Sequence, residues 1–418
     1  MEGHKGGGRT TTTIEDLGDD LTVEILRSLP LSSIISCVVV CKRWQTLISC
    51  SALFLTKSIN VVATFYRGFD SYTCLERGRG GGMQKIFSEL LVSIYFPERL
   101  YDDRILVSCN GLFFSCYYFY FDHGPWLRIN LVNQCFISNP WTKERVCIPG
   151  PTKPCRFSLW GLAFENNSSH NNDNLASYKI VMAHRIYTFE KKSPYKFEMY
   201  SSDKKKWQWL PEAPRPKHHS YCKSDQIAVY CNRVLYWQCR WKKEHALMLN
   251  VETESFGHLD LPGAEDNDDD EKEEEIVLCS RLTECNGQLH FIRIGSAYGR
   301  LIIWKMTIIG GWLILHNVDL RGAVESNLDL FPSYGTKRGR AVDSNLVFSG
   351  LLGIIPIGMS CEEDDKVLFQ DTYPHKSIVS YDLKKGVFEL VFQKELEDWD
   401  SVWKFFPYTP TTKFISER

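Results

Sequence analysis

Motifs that carry many known active sites and metal sites are missing from this sequence. It contains no Gly-x-Ser-x-Gly nucleophile elbow, no His-Glu-x-x-His pair and no Walker-type phosphate loop. Its 15 cysteines form no Cys-x-x-Cys pair, and no cysteine and histidine cluster has the spacing of a zinc site. We therefore expect a protein that is not an enzyme, with no catalytic residue, no cofactor and no metal.

An excess of charge of one sign is also missing. The 49 lysines and arginines nearly balance the 51 aspartates and glutamates, which leaves a net charge of −2. Without an overall basic field, neither nucleic acid nor an anionic membrane surface is expected as a partner.

Long apolar runs are absent as well. The apolar stretch at residues 301–315 is shorter than the roughly 20 residues of a spanning helix, and Lys305 interrupts it. Its two adjacent glycines, Gly310 and Gly311, lie between β-branched runs, which predicts a buried β-hairpin.

The cysteines and the N-terminus together indicate the compartment. The cysteine count is odd, and residues 1–13 are rich in Gly and Thr with no apolar segment of a secretory signal. These features favour free, mostly buried thiols in a reducing compartment. We expect the protein in the cytoplasm, the nucleus or both.

The hydrophobic periodicity changes near residue 55. Before it, apolar residues recur at helical intervals; after it, they come in short bursts separated by turn residues. This change predicts a disordered tail at 1–13, a helical module at 14–57 and a large β domain at 58–418.

The helical module is predicted to contain three short helices. The first places Leu21, Ile25, Leu26 and Leu29 on one face and ends at Pro30. The second, which starts near Ser32, is apolar nearly all round. A module of about 40 residues cannot bury so much apolar surface alone. Another chain is expected to cover it, with docking on the protein's own β domain as the alternative.

The β domain contains a repeated turn. A Cys-Asn pair followed by alternating apolar residues occurs at residues 109–114, 231–237 and 285–291. Asn supplies a left-handed turn residue, so each phrase predicts the turn of a hairpin. Imperfect repeats of about 50 residues predict a β-propeller, with a large β-sandwich as the alternative. The interval between Asn110 and Asn232 must then hold two units, and the number of blades stays open.

Two polar stretches interrupt the β pattern. Residues 165–177 are predicted to form a surface loop. Residues 265–275, Glu-Asp-Asn-Asp-Asp-Asp-Glu-Lys-Glu-Glu-Glu, are predicted to form a solvated insertion, with binding of a basic partner as the alternative.

Residues 17–30 and 39–48 resemble an F-box. The usual wording is Leu-Pro-x-Asp-Leu, then Glu-Ile-Leu-x-x-Leu-Pro, then Val-Cys-Lys-x-Trp, and most of these positions agree in order and spacing. Gly18 stands where the family usually has Pro, so we expect a weaker first turn. The phrases Cys-Asn-Gly-Leu at 109–112 and Asn-Pro-Trp-Thr-Lys at 139–143 are similar to those of the F-box-associated β domains of plant F-box proteins.

This resemblance implies a small all-α F-box followed by a large all-β domain. It implies the substrate-recognition subunit of an SCF-type ubiquitin ligase, which docks on a Skp-family adaptor and through it on a cullin and a RING subunit. The β domain is then expected to bind a target protein, through residues that the sequence does not identify. The alternatives are an interaction protein that binds the adaptor without promoting degradation, and a propeller that binds a ligand or glycan.

The family motif also implies which residues face the adaptor. Some of them must instead form the core of the module, and the sequence does not divide the two sets. The matching positions are Leu17, Leu21, Ile25, Leu26, Leu29, Pro30, Val40, Cys41, Trp44 and Leu47.

Overall fold

The structure is a computed structural model of the 418-residue chain. The residues it describes are 17–29, 33–34, 37, 40–50, 60–64, 71–77, 83–90, 101–122, 128–139, 142, 144–152, 158–164, 176–185, 195–214, 228–239, 244–262, 277–295, 299–327, 330, 354–360, 366–371, 377–392, 404–408 and 415.

The chain divides into two compact units, residues 1–57 and residues 58–418. In the first unit, described helices are α1 (Asp19–Ser28) and α2 (Lys42–Cys50). Most of the second predicted helix, the tail at 1–13 and Pro30 lie outside the described residues. None of the described helices has the length and apolar composition needed to cross a membrane.

The second unit consists mainly of antiparallel sheets. Its described residues form six four-stranded sheets, and one short helix, α3 (Arg321–Glu325), follows strand β19. Blade 1 contains β1 (Asn60–Thr64), β2 (Ser71–Arg77), β3 (Met83–Leu90) and β24 (Lys404–Tyr408). Blade 2 contains β4 (Tyr101–Cys109), β5 (Leu112–Asp122), β6 (Arg128–Asn139) and β7 (Glu144–Ile148). Blade 3 contains β8 (Ser158–Phe164), β9 (Tyr178–Arg185), β10 (Tyr195–Ser201) and β11 (Lys206–Trp209).

The remaining blades follow the same order along the chain. Blade 4 contains β12 (Val229–Cys231), β13 (Val234–Cys239), β14 (His245–Asn250) and β15 (Ser255–Asp260). Blade 5 contains β16 (Val277–Cys285), β17 (Gln288–Gly295), β18 (Arg300–Met306) and β19 (Trp312–Asp319). Blade 6 contains β20 (Ile354–Ser360), β21 (Lys366–Asp371), β22 (Ile378–Asp382) and β23 (Val387–Phe392).

One strand of each sheet contacts its counterparts in the two neighbouring sheets. These contacts run from β24 to β4, β8, β12, β16 and β20 and return to β24. Such a closed ring of four-stranded sheets is a β-propeller, so the propeller prediction is confirmed and the β-sandwich alternative is wrong. The ring closes within blade 1, where β24 from the C-terminal end pairs with β1 from the start of the unit.

The Asn turns adopt the predicted left-handed backbone. Asn110, Asn232 and Asn286 have φ values of 43°, 49° and 51°, and each lies in the tight connection between the first two strands of its blade. The side chains also join neighbouring blades: Asn110 Nδ2 donates to the Phe164 carbonyl at 2.7 Å, and Asn232 Nδ2 donates to the Gly287 carbonyl at 3.0 Å. The prediction of two units between Asn110 and Asn232 is confirmed, since blades 2 and 3 occupy that interval.

Tryptophans on two outermost strands also join neighbouring blades. Trp207 on β11 donates its indole N–H to the Pro149 carbonyl at the end of blade 2, at 2.8 Å. Trp312 on β19 donates in the same way to the Asp260 carbonyl at the end of blade 4, at 3.0 Å. Because an indole N–H is a donor that needs a partner when half-buried, each contact fixes one blade against the preceding one.

The packing between blades 3 and 4 is close at Gly161 on β8. A Cβ atom placed there would lie 2.9 Å from Leu235 Cδ1 and 3.0 Å from the ring of Trp237. Trp237 is fully buried and donates its indole N–H to the Trp160 carbonyl at 3.2 Å. A methyl group at position 161 would therefore force the tryptophan away from its partner.

We predict that Gly161→Ala lowers the free energy of unfolding by about 1–3 kcal/mol, because the added methyl group overpacks this contact. Thermal and denaturant unfolding of the full chain measures the effect. Gly311→Ala is the matched control, since a Cβ there meets only Thr307 Oγ1 at 3.5 Å, an ordinary contact. Equal stability of the two variants would contradict the assignment of Gly161 as a packing constraint.

The predicted hairpin at residues 301–315 is confirmed, but its predicted burial is wrong in part. Strands β18 and β19 pair across a loop at 307–311, in which the Thr307 N–H donates to the Gly311 carbonyl at 2.8 Å. Strand β18 packs in the core, with Leu301 and Ile303 fully buried. The tip residues Ile308 and Ile309 are fully exposed. The hairpin is partly exposed because β19 is the outermost strand of its sheet.

The cysteines partly follow the prediction of free thiols. Eight described cysteines are not in a disulfide, and five of these are buried: Cys109, Cys116, Cys135, Cys231 and Cys279. Cys239 and Cys285 each take part in a disulfide, so the prediction is wrong at these two positions.

Candidate functional site

Helix α1 begins at Gly18 with backbone contacts alone. Gly18 has φ −61° and ψ 159° and offers no side chain as a cap. Both the N–H and the hydroxyl of Thr22 donate to the Gly18 carbonyl, each at 3.0 Å. Asp19 and Asp20 occupy the first turn, where negative charge is favourable because of the helix dipole.

Arg43 on α2 joins the two helices. Its Nε donates to Asp19 Oδ1 at 2.9 Å, and a second guanidinium N–H donates to the Leu17 carbonyl. The ion pair is partly exposed, so it contributes modestly to stability and mainly fixes the geometry. The hydrophobic periodicity of the sequence does not single out Arg43, because a contact between helices leaves no periodic signal.

The structure separates core from surface in this unit, which the sequence could not do. Leu26 and Ile48 are buried, with 0% and 1% of their surface exposed, and Thr22 and Ile34 are buried with them. Leu21, Ile25 and Val40 are exposed by 59%, 43% and 63%. We call these three residues the exposed apolar surface of the helical unit.

The other predicted adaptor-facing residues differ in their exposure. Leu17, Leu29, Trp44 and Leu47 are half-buried, Cys41 is exposed, and the Trp44 N–H donates to Cys41 Sγ at 3.4 Å. Pro30 lies outside the described residues. Leu26 belongs to the core of the unit, with none of its surface exposed.

Polar side chains buried in the propeller have partners of their own. Glu198 on β10 is completely buried; it accepts from the Thr152 hydroxyl at 2.7 Å and lies 2.6 Å from His184 Nε2. This cluster fastens the segment between blades 2 and 3 to the middle of blade 3. Its acceptors and donors are used within the fold, as buried polar groups require.

Two further clusters follow the same rule. The Gln238 amide of blade 4 donates to the Ser280 hydroxyl of blade 5 at 2.7 Å, and that hydroxyl donates to Glu244 at 2.5 Å. In blade 6, the buried Lys366 ammonium donates to Glu389 Oε2 at 2.8 Å. These contacts stabilise the sheets and the boundaries between them.

Burial shifts the pKa values of several titratable groups in the propeller. It raises the pKa of the Cys231 thiol to about 12, with the nearby Glu284 carboxylate adding to the shift. Burial also raises the pKa of Glu284, partly opposed by the hydrogen bond from the Gly287 N–H. A thiol is a nucleophile only as the thiolate, so Cys231 is inert at pH 7. Among the described residues, no group of three His, Cys, Asp or Glu side chains could hold a metal ion.

The fold and these surfaces define a β-propeller protein whose chain begins with a small helical unit. Residues 90–304 match the family model of the F-box associated beta propeller domain, and residues 14–55 match that of the F-box domain. The chain belongs to the F-box associated β-propeller family, and it is a plant-type F-box protein.

Two proteins of Arabidopsis thaliana are similar in sequence. F-box protein At5g07610 is 24% identical over 330 residues, which cover 74% of this chain and 72% of that protein. The putative F-box protein At5g52610 is 24% identical over 269 residues, which cover 59% of this chain and 62% of that protein.

Solved structures give weaker similarities. Porphyromonas gingivalis dipeptidyl peptidase 4 has a TM-score of 0.33 at 9% identity and covers 80% of this chain and 52% of its own. A triple arginine-to-alanine mutant of AofleA from Arthrobotrys oligospora has a TM-score of 0.37 at 9% identity and covers 85% and 92%. A protein from Lactobacillus plantarum has a TM-score of 0.35 at 10% identity and covers 84% and 100%.

We predict that Gly18→Pro stabilises α1 by about 0.4–1 kcal/mol, because φ at this position already suits proline and the unfolded chain loses freedom. A Cβ at Gly18 has no atom within 4 Å, so this atom of the proline ring meets no clash. Hydrogen exchange of the α1 amides in the full chain should slow by about two- to fivefold.

Gly18→Ala is the control for this prediction. Alanine fills the same open space but does not fix φ, and it is a poor residue at a helix N-cap. Faster exchange in the proline variant than in the natural protein would contradict the prediction. It would show that the loss of the Gly18 N–H, or crowding of the Leu17 backbone by the ring, outweighs the gain from a fixed φ.

Proposed function

We propose that this protein is a substrate-recognition subunit of an SCF-type ubiquitin ligase. In this role the helical unit binds a Skp-family adaptor, which links it to a cullin and a RING subunit, and the propeller binds the target protein. The observation that carries the proposal is the exposed apolar surface of the helical unit, on a unit whose family model is the F-box. The proposed location is the cytoplasm, the nucleus or both.

The geometry of that surface suits a helix-in-groove contact. Leu21 and Ile25 are four residues apart on α1, so they project from the same face of the helix. Fully burying an aliphatic side chain of this size contributes about 1.5–3 kcal/mol. Leu21 and Ile25 offer an aliphatic anchor on one helix face and Val40 adds exposed apolar area, while Leu26 and Ile48 are buried in the unit.

The proposal assigns no covalent step to this chain. Its contribution is proximity, because holding a target lysine near a conjugating enzyme bound elsewhere in the complex raises their effective concentration. The inert buried thiol of Cys231 and the internally paired Glu198 and Lys366 support this assignment.

We predict that Leu21→Asp combined with Ile25→Asp abolishes co-elution with the adaptor. Two carboxylates would have to be buried unpaired in the contact, which is strongly unfavourable. The measurement is co-expression of the full chain with a plant Skp-family adaptor, followed by size-exclusion chromatography. The natural protein should co-elute one-to-one.

The matched control is Ile309→Asp combined with Ile314→Asp, which places the same substitutions at exposed aliphatic positions of the propeller. This control should co-elute like the natural protein, and circular dichroism should show that all three proteins are folded. A natural protein that elutes without the adaptor, or a Leu21 and Ile25 variant that still co-elutes, would overturn the proposed function.

A further inference from the structure

Two buried cysteines face each other in the middle of blade 2. Cys116 on β5 and Cys135 on β6 are directly opposite in the antiparallel register. Both side chains are fully buried in the core between blades 2 and 3, and neither takes part in a disulfide. Their Sγ atoms lie 2.7 Å apart. The two thiols are therefore in direct contact on the two central strands of one sheet.

The other three buried cysteines outside a disulfide have a different environment. Each lies on the first strand of its blade and donates to a backbone carbonyl of the next blade: Cys109 to Phe164, Cys231 to Gly287 and Cys279 to Ile354. Those thiols help to join neighbouring blades. The contact between Cys116 and Cys135 joins two strands that the backbone ladder already pairs, so joining blades does not account for it.

The backbone at this pair suits a disulfide. Opposite residues of an antiparallel sheet have Cα atoms about 4.5 or 5.5 Å apart, and disulfides span Cα distances of about 4.4–6.8 Å. The distance between the two Sγ atoms, 2.7 Å, exceeds the S–S bond length of about 2.05 Å by less than about 1 Å. Bond formation therefore requires a small movement of two side chains and no change of strand register.

A β-bulge lies beside the pair and offers a route for a reagent. Tyr117 pairs with Gln134 and Tyr118 pairs with Val132, so Asn133 is an additional residue of β6 without a partner on β5. A bulge interrupts the hydrogen-bond ladder locally. Local opening of the two strands is easier where the ladder is already interrupted, and such opening exposes buried groups without unfolding the whole domain.

We propose that Cys116 and Cys135 are an oxidation site, at which a small peroxide converts the two thiols to a disulfide between β5 and β6. The size of the oxidant follows from the burial of both side chains, because a mixed disulfide with a larger thiol needs room that a fully packed core does not have. This inference is independent of the proposed function, since it concerns the covalent state of the propeller.

The reaction proceeds in two steps. The thiolate of one cysteine attacks a peroxide oxygen, the O–O bond breaks, and one water leaves as the sulfur becomes a sulfenic acid. The second thiolate attacks that sulfur, the S–O bond breaks, and a second water leaves as the S–S bond forms. Two thiols are thereby oxidised by two electrons, and one hydrogen peroxide is reduced to two waters.

The disulfide would close the stretch of chain from residue 116 to residue 135. A closed loop restricts the unfolded chain more than the folded one, so the oxidised propeller should be the more stable form. We expect its midpoint of thermal unfolding to rise by about 3–6 °C. Circular dichroism of the full chain before and after oxidation measures this shift.

The direct test identifies the bond by mass spectrometry. The full chain is treated with hydrogen peroxide in native buffer, its remaining thiols are alkylated in denaturant, and it is digested with trypsin. Residues 105–128, with Cys116, and residues 129–143, with Cys135, are then separate peptides. Without reduction, most of the two peptides should be joined with the loss of two hydrogen atoms, and reduction should separate them.

Matched alanine variants assign the bond to one pair, because residues 105–128 also contain Cys109. Cys116→Ala and, separately, Cys135→Ala should each lose the joined form and the rise in the unfolding midpoint. Cys109→Ala removes a buried thiol of the same peptide and should retain both. Circular dichroism before oxidation checks that each variant is folded.

The natural protein alone can contradict the inference, so the test does not depend on a variant that folds. Cys147 is exposed, and its oxidation in the same sample shows that the peroxide has reacted. Oxidised Cys147 without the joined peptide would overturn the proposal. A joined form that persists in Cys116→Ala would overturn it too, since the bond would then belong to Cys109.

Discussion

The pairing of β24 with β1 is the constraint on which the propeller depends. It joins the two ends of the second unit in one sheet, with Asn60 opposite Tyr408 and Thr64 opposite Lys404. Only this pairing gives blade 1 its fourth strand and allows β24 to contact both β4 and β20. Because the strands are far apart in sequence, bringing them together closes a long loop, which is costly in entropy. The contacts between neighbouring blades must offset that cost.

The contacts between neighbouring blades recur at equivalent places in different blades. Asn110 and Asn232 combine a left-handed turn with an amide donor to the next blade, so one residue type satisfies a backbone and a packing requirement together. For this reason the turns could be predicted from sequence. The number of blades could not, since blade 3 replaces the tight turn with the connection between Phe164 and Tyr178 and blade 1 is built from both ends of the unit.

The limits of prediction at the candidate sites have a similar physical origin. Leu21, Ile25 and Leu26 all fit one apolar face by helical spacing, yet Leu26 is buried and the other two are exposed. What divides them is the direction from which α2 packs, which Arg43 fixes through Asp19 and the Leu17 carbonyl. At residues 301–315, strand propensity and the glycines predicted the hairpin correctly. The prediction that this hairpin is buried was wrong, because the position of β19 at the sheet edge and its bulge are properties of the assembled sheet.

The same comparison separates residues that stabilise the fold from residues available to partners. Buried polar groups such as Glu198 and Gln238 are paired inside the propeller, so losing them would cost stability. The exposed aliphatic residues of the helical unit and of β19 have no such internal partner surface to cover them among the described residues. Apolar area that folding leaves in water is the area that association can still bury. Two such surfaces, one on each compact unit, are what a protein needs if it is to hold two different partners at once.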